Sequence, residues 1–186
     1  MKKIILIAAI AATALTSNSC AILGGKTSKS NVVSAMSTNS PFSNFLTSSD
    51  FLRTVGVGTG KTESAALNLA KMTAGSQLLS QVVGIVKSVS GQYSQKQNLT
   101  SNMSSLISSG AVNAVKGLVQ GTQATKTKTV QNAAGNFTSY VAMELAKNKL
   151  KNTLTSALTG NKQTSKGFDS NLFGSLIDSA VSAAAK

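Results

Sequence analysis

Phe51-Leu-Arg-Thr-Val-Gly-Val57 runs through Gly58-Thr-Gly60 and Lys61-Thr62 into Glu63-Ser-Ala-Ala-Leu-Asn-Leu-Ala70. Its first seven residues alternate: Phe51, Arg53, Val55 and Val57 lie on one side, Leu52 and Thr54 on the other. A period of two predicts a strand. From Glu63 or Ser64 to about Tyr93 the period changes. Leu67, Ala70, Ala74, Leu78, Val82, Ile85, Val86, Val89 and Tyr93 recur at three- and four-residue steps, which line one face of a long helix. Gly56, Gly58 and Gly60 fall at the junction and are expected to break the strand and bend the chain into the helix. Ala66, Ala70 and Ala74 carry little bulk, so another element can approach the first half of that helix closely.

Downstream, Leu99, Met103, Leu106 and Ile107 mark the apolar side of a second helix, from about Leu99 to Gly117 and weakened by Gly110. From about Val119 to Gln131 the chain is rich in Thr and Gln. Lys126 and Lys128 alternate there, as expected of an edge strand protected against self-pairing. Asn132-Ala-Ala-Gly-Asn136 reads as a turn. Phe137 to Leu145 alternates throughout, with Phe137, Ser139, Val141, Met143 and Leu145 facing one way. A helix beginning at Ala146 then buries Leu150, Leu154 and Leu158, with Gly160 in the place of a C-cap. Phe168, Leu172, Phe173, Leu176, Ile177, Ala180, Val181 and Ala184 form a final amphipathic helix, capped by Asp169 or Ser170. Covering the core is its first expected role; self-association or membrane contact comes second, the latter disfavoured by a polar face that is not basic.

Upstream, Met1 to Cys20 reads MKKIILIAAIAATALTSNSC. Lys2 and Lys3 precede an apolar run from Ile4 to Ala12. That run is shorter than the roughly 20 residues of a membrane span and fits a cleavable export signal. Cys20, the one cysteine, cannot form an intramolecular disulfide. Its place directly after the signal resembles the lipidation site of bacterial lipoproteins, where the thiol receives diacylglycerol and the chain is cut before it. Ser17-Asn18-Ser19 departs from the Leu-led pattern of such sites. An ordinary peptidase could instead cut after Ser17-Asn18-Ser19 or Ala12-Thr13-Ala14. Residues 20–48, with Gly24-Gly25 and the one proline, Pro41, read as a flexible tether spanning about 25–30 Å.

Composition narrows the chemistry. The 186 residues carry 18 Lys and Arg against 5 Asp and Glu, for +13. Loss of Lys2 and Lys3 with the leader leaves 16 against 5, or +11. Arg53 is the one arginine; lysine is a point charge, suited to diffuse anionic partners rather than to base-read nucleic acid. With no histidine, neither a Ser-His pair nor an imidazole metal site can form. Asp50, Glu63, Glu144, Asp169 and Asp178 are too scattered in sequence for a paired-carboxylate site. The run from Gly56 to Lys61-Thr62 resembles a phosphate-binding loop, but that motif needs a glycine at position 55, which is Val55. The residues predict a non-enzyme with no catalytic, cofactor or metal site, and one modification residue, Cys20.

Asp50 to Leu158 resembles the LPP-twenty-like bacterial lipoproteins, whose domain is similar to the N-terminal domain of flagellar assembly protein T. Two patterns carry the resemblance. One is Val57-Gly58 leading into Ala65-Ala-Leu-Asn-Leu-Ala-Lys71 and continuing through Leu78 to Val89. The other is Phe137-Thr-Ser-Tyr-Val-Ala-Met-Glu-Leu145 with a lysine-rich helix start after it. The resemblance implies an α+β domain in which helices pack on one face of a small antiparallel sheet; about three strands and two or three helices are expected here. The C-terminal amphipathic helix is an addition to the family's pattern, as the scarcity of acidic residues is a departure from it. The resemblance also implies a lipid-anchored envelope protein without enzymatic activity. Expected organisation is a signal peptide over 1–19, lipidated Cys20 and tether over 20–48, the α+β domain over 49–160, and a linker and helix over 161–186. The expected role is structural or interactive at the cell envelope, with the outer membrane favoured. Expected partners are the membrane through the lipid anchor, a protein or a second copy, or an anionic envelope polymer such as lipopolysaccharide or cell-wall material.

Overall fold

The computed structural model describes residues 40–186. Cys20, the expected leader and most of the expected tether lie outside the described residues. Seven elements follow in order: β1 (Phe51–Gly60), α1 (Glu63–Lys96), α2 (Ser101–Gln120), β2 (Ala124–Gln131), β3 (Phe137–Ala146), α3 (Lys147–Gly160) and α4 (Ser170–Ala184). The strands form one antiparallel sheet in the order β1-β3-β2. The architecture is α+β, as expected.

The glycines do not break the first strand. β1 runs unbroken to Gly60, pairing Gly56 with Val141, Gly58 with Ser139 and Gly60 with Phe137. These three positions share the inner face of the sheet with Leu52 and Thr54. α1 lies directly on them. A Cβ at Gly56 would overlap the Ala70 carbonyl and the Ala74 amide; one at Gly58 would overlap the Ala66 carbonyl and the Ala70 amide. The missing side chains are thus filled by helix backbone, and Ala66, Ala70 and Ala74, all fully buried, are the other half of the same close approach. Thr54 Oγ1 donates to the Ala74 carbonyl at 3.1 Å, tying strand to helix.

A 34-residue helix is about 51 Å long, so only its first half is supported by β1. Its second half buries Val82, Val86, Val89 and Tyr93 against the other helices. They contribute Ile107, Ala111 and Val115 from α2, Leu150, Leu154 and Leu158 from α3, and Phe173, Ile177 and Val181 from α4. The apolar face of α4 is therefore occupied within the core. Its N-cap is Asp169, whose carboxylate accepts from the Asn171 and Leu172 amides at 3.0 and 2.9 Å. Thr62 and Thr100 cap α1 and α2 in the same way. Gly160 is the last residue of α3 rather than a left-handed cap, and the chain leaves the helix through Asn161 in an extended conformation. The left-handed position falls instead at Asn98 (φ 49°), closing α1.

The fold also begins earlier than residue 49. Ser48 and Phe51 exchange backbone hydrogen bonds, the Arg53 amide donates to Thr47 Oγ1 at 3.1 Å, and Gln81 Nε2 reaches the same hydroxyl at 3.2 Å. The last part of the expected tether is thereby packed onto the start of β1.

Tyr93, Phe168 and Phe173 form an aromatic cluster with centroids 5.3–5.4 Å apart. The Tyr93 hydroxyl accepts from the Asp169 amide at 2.8 Å. Burial pushes the phenol above its ordinary value; the hydrogen bond from the Asp169 amide opposes this, and the Asp169 carboxylate adds to it. Below the ordinary tyrosine pKa the proton is bound in both folded and unfolded chains, and stability is unaffected. Above it the unfolded chain loses the proton more readily, so stability falls as pH rises past about 10. Tyr93→Phe is expected to lose part of that alkaline dependence, seen as a smaller shift of the urea midpoint between about pH 8 and 10.5 than in the parent.

Candidate interaction surface

All five acidic residues serve the fold. Glu144 accepts from Arg53 Nε at 2.6 Å across the β1–β3 pair. Asp50 meets Lys147 at 3.3 Å, and Asp178 meets Lys151 at 3.0 Å and Lys147 at 3.9 Å. Asp169 caps α4, and Glu63 sits in the first turn of α1, where the helix dipole favours a negative charge. Partly exposed pairs of this kind contribute on the order of 1 kcal/mol or less each, so their main effect is on where charge remains. Three of the 14 basic residues described are taken up by these pairs. The other eleven, all lysines, have no carboxylate within 4 Å among the described residues.

Two of those lysines lie on β2. The register sets Lys126 opposite Ala142 and Lys128 opposite Tyr140, so both project from the outer face of the sheet, away from α1. On that face Phe45 lies between two cations: the Arg53 guanidinium is 5.0 Å and the Lys126 ammonium 5.4 Å from its ring centroid. Arg53 also donates to the Leu46 carbonyl at 3.2 Å. β2 pairs with β3 on one side, and among the described residues no strand lies on its other side. This is the edge strand expected from the alternating lysines.

A second feature, which sequence periodicity did not single out, lies between α1 and the connection leading into β2. Leu69 and Met72 of α1 are 43% and 70% exposed, unusual for large apolar side chains. Near them, Met72, Gly75, Leu79, Val119 and Met143 line an open cleft of about 470 Å³. The signal was present: Leu69, Met72, Ser76 and Leu79 recur at helical spacing, but on a flank adjacent to the face chosen as core.

Leu46 and Val130 are also exposed, at 54% and 43%, and Phe45, Leu46, Val55 and Ala184 border a further cleft of about 590 Å³. A cleft of about 460 Å³ between α3 and α4 is bordered by Lys151, Thr155, Asn171, Ser175 and Asp178. Its Thr155 and Ser175 hydroxyls donate to carbonyls of their own helices. Lys61 and Thr62 do not form a phosphate-binding loop: Gly56 to Gly60 are strand, with the helix backbone packed against them. Among the described residues no three His, Cys, Asp or Glu side chains converge, and no helix is long and apolar enough to cross a membrane. No family model, curated protein or solved structure matches the chain.

Proposed function

We propose that this chain is a non-enzymatic, lipid-anchored protein of the bacterial envelope, with the outer membrane its favoured site, and that its domain acts by holding a partner. Support for the anchor comes from the leader, from Cys20 directly after it, and from the resemblance to LPP-twenty-like lipoproteins. The observation that carries the interaction role is the free, lysine-bearing edge of β2 beside an exposed apolar flank of α1. The eleven lysines without carboxylate partners favour a second reading, in which the domain is a cationic binder of anionic envelope polymer.

One experiment separates the readings. Membranes carrying the native chain or Cys20→Ala are washed at low and high salt, and the intact mass of the native protein is measured. A lipid anchor predicts a lipid-sized mass increment, retention through high salt, and release of Cys20→Ala into the soluble fraction. Attachment by charge alone predicts no added mass and release of both proteins by salt. That second outcome would remove the lipoprotein reading.

A further inference from the structure

We infer that the free edge of β2 takes up, by strand addition, an extended segment of a partner protein in which acidic and apolar residues alternate. This rests on the interaction role proposed above and assigns its partner a chemistry.

The backbone supplies the first requirement. After an irregularity between Ala124 and Lys126, the register with β3 is continuous from Lys126 to Gln131. One side of that stretch is satisfied by β3. The other presents the row of amide and carbonyl groups on which an added strand forms its ladder.

The two faces supply the pattern. Successive side chains of an added strand point to opposite faces. On the outer face they meet Lys126 and Lys128, both exposed; the outward carboxylate of Glu144 is already held by Arg53 at 2.6 Å. The outward residues of the partner beside Lys126 and Lys128 are therefore favoured as acidic, whereas the one beside Val130, 43% exposed on the same face, is not. On the inner face, the register aligns Thr129 with Ser139 and Gly58, and Thr127 with Val141 and Gly56. α1 rests on those glycines at the far side of the sheet, leaving Thr127 exposed. On the flank of α1 beside Met143 stand Met72 and Leu79, with Leu69 exposed one turn earlier on the same flank. The intervening residues of the partner are favoured as apolar.

Charge also decides whose segment it is. A second copy pairing through its own β2 would set Lys126 and Lys128 beside their equals, which is unfavourable. Residues 20–39 of this chain contain no Asp or Glu, so the tether lacks the complementary charge. The remaining occupant is an acidic segment of a different protein.

The test uses the full chain bearing Cys20→Ala and a synthetic peptide of about four Glu-Val repeats, long enough to span a typical strand. Its affinity is compared with that of a peptide holding the same residues in a Glu block and a Val block. The alternating peptide is expected to bind at least about tenfold tighter. Lys126→Glu with Lys128→Glu is expected to lose that binding and to gain binding of a Lys-Val repeat. This gain also shows that the variant is folded. N-methylation of the valine amides or of the glutamate amides blocks opposite edges of the peptide, so one modification abolishes binding and the other spares it. Equal affinity for block and alternating peptides overturns the proposal and leaves binding to diffuse charge; equal effects of the two methylations overturn it as well. Membrane release of Cys20→Ala reports on the anchor alone, so failure of one reading is not mistaken for failure of the other.

Discussion

Gly58→Ala, the addition of a single methyl group, is expected to cost at least about 3 kcal/mol, at or beyond the upper end of ordinary overpacking. The methyl would occupy the position of the Ala66 carbonyl and the Ala70 amide. A clash with a flexible side chain relaxes by a rotamer change, but these are backbone atoms within a hydrogen-bonded helix. Relief requires α1 to lift from the sheet along the row of Gly56, Gly58 and Gly60, and that uncovers Ala66, Ala70 and Ala74 together. Gly56→Ala is expected to behave alike, since it meets the next turn of the same helix. Gly75→Ala provides the control. Its methyl meets nothing within 4 Å, and it lies inside α1, where exchange of Gly for Ala stabilises by about 0.5–1 kcal/mol. The same chemical change at residues 58 and 75 should thus shift stability in opposite directions, as read from urea unfolding followed by circular dichroism. A cost under about 1 kcal/mol for Gly58→Ala would show that α1 does not rest on β1 as described.

Phe173→Ala is expected to destabilise by about 3–5 kcal/mol, a large part of the 5–15 kcal/mol that a domain of this size possesses. Phe173 is fully buried and meets Tyr93 edge-on at 5.3 Å. The cavity would open between α4 and the second half of α1. Phe173→Leu should cost markedly less, because it preserves most of the volume. Both values come from denaturant midpoints with the slope checked for two-state behaviour. If Phe173→Ala cost less than about 1 kcal/mol, α4 would be an appendage rather than a wall of the core.

Much of this fold was legible in local patterns. The alternation from Phe137 to Leu145 predicts β3 and its inward face: Ser139, Val141, Met143 and Leu145 are buried and turned toward the helices. The three- and four-residue steps from Ala70 to Tyr93 predict the buried face of α1, and Lys126 with Lys128 predict an edge strand. In each case one residue's environment is decided by its immediate neighbours. Gly56, Gly58 and Gly60 were misread because glycine suggests a break when local preference alone is weighed. Their role depends on Ala66, Ala70 and Ala74, and so on where the following helix comes to rest. Gly160 shows the same limit, since a glycine at a helix end need not adopt the left-handed conformation that only it readily permits.

The candidate site divides along the same line. Composition and local order determined the excess of lysine, the lack of histidine chemistry, the place of Cys20 behind an apolar N-terminal run, and the periods of strand and helix. These are properties of residue type and spacing, and they do not require the chain to be folded. Tertiary structure decided that the carboxylates of Asp50, Glu144 and Asp178 pair with Lys147, Arg53 and Lys151, and that Leu69 and Met72 stay exposed beside β2. It also placed the apolar face of α4 inside the core. Such outcomes depend on contacts between residues as far apart as Arg53 and Glu144 or Tyr93 and Asp169. They arise because the helix and sheet faces, once formed, can satisfy their burial and close packing in one mutual arrangement.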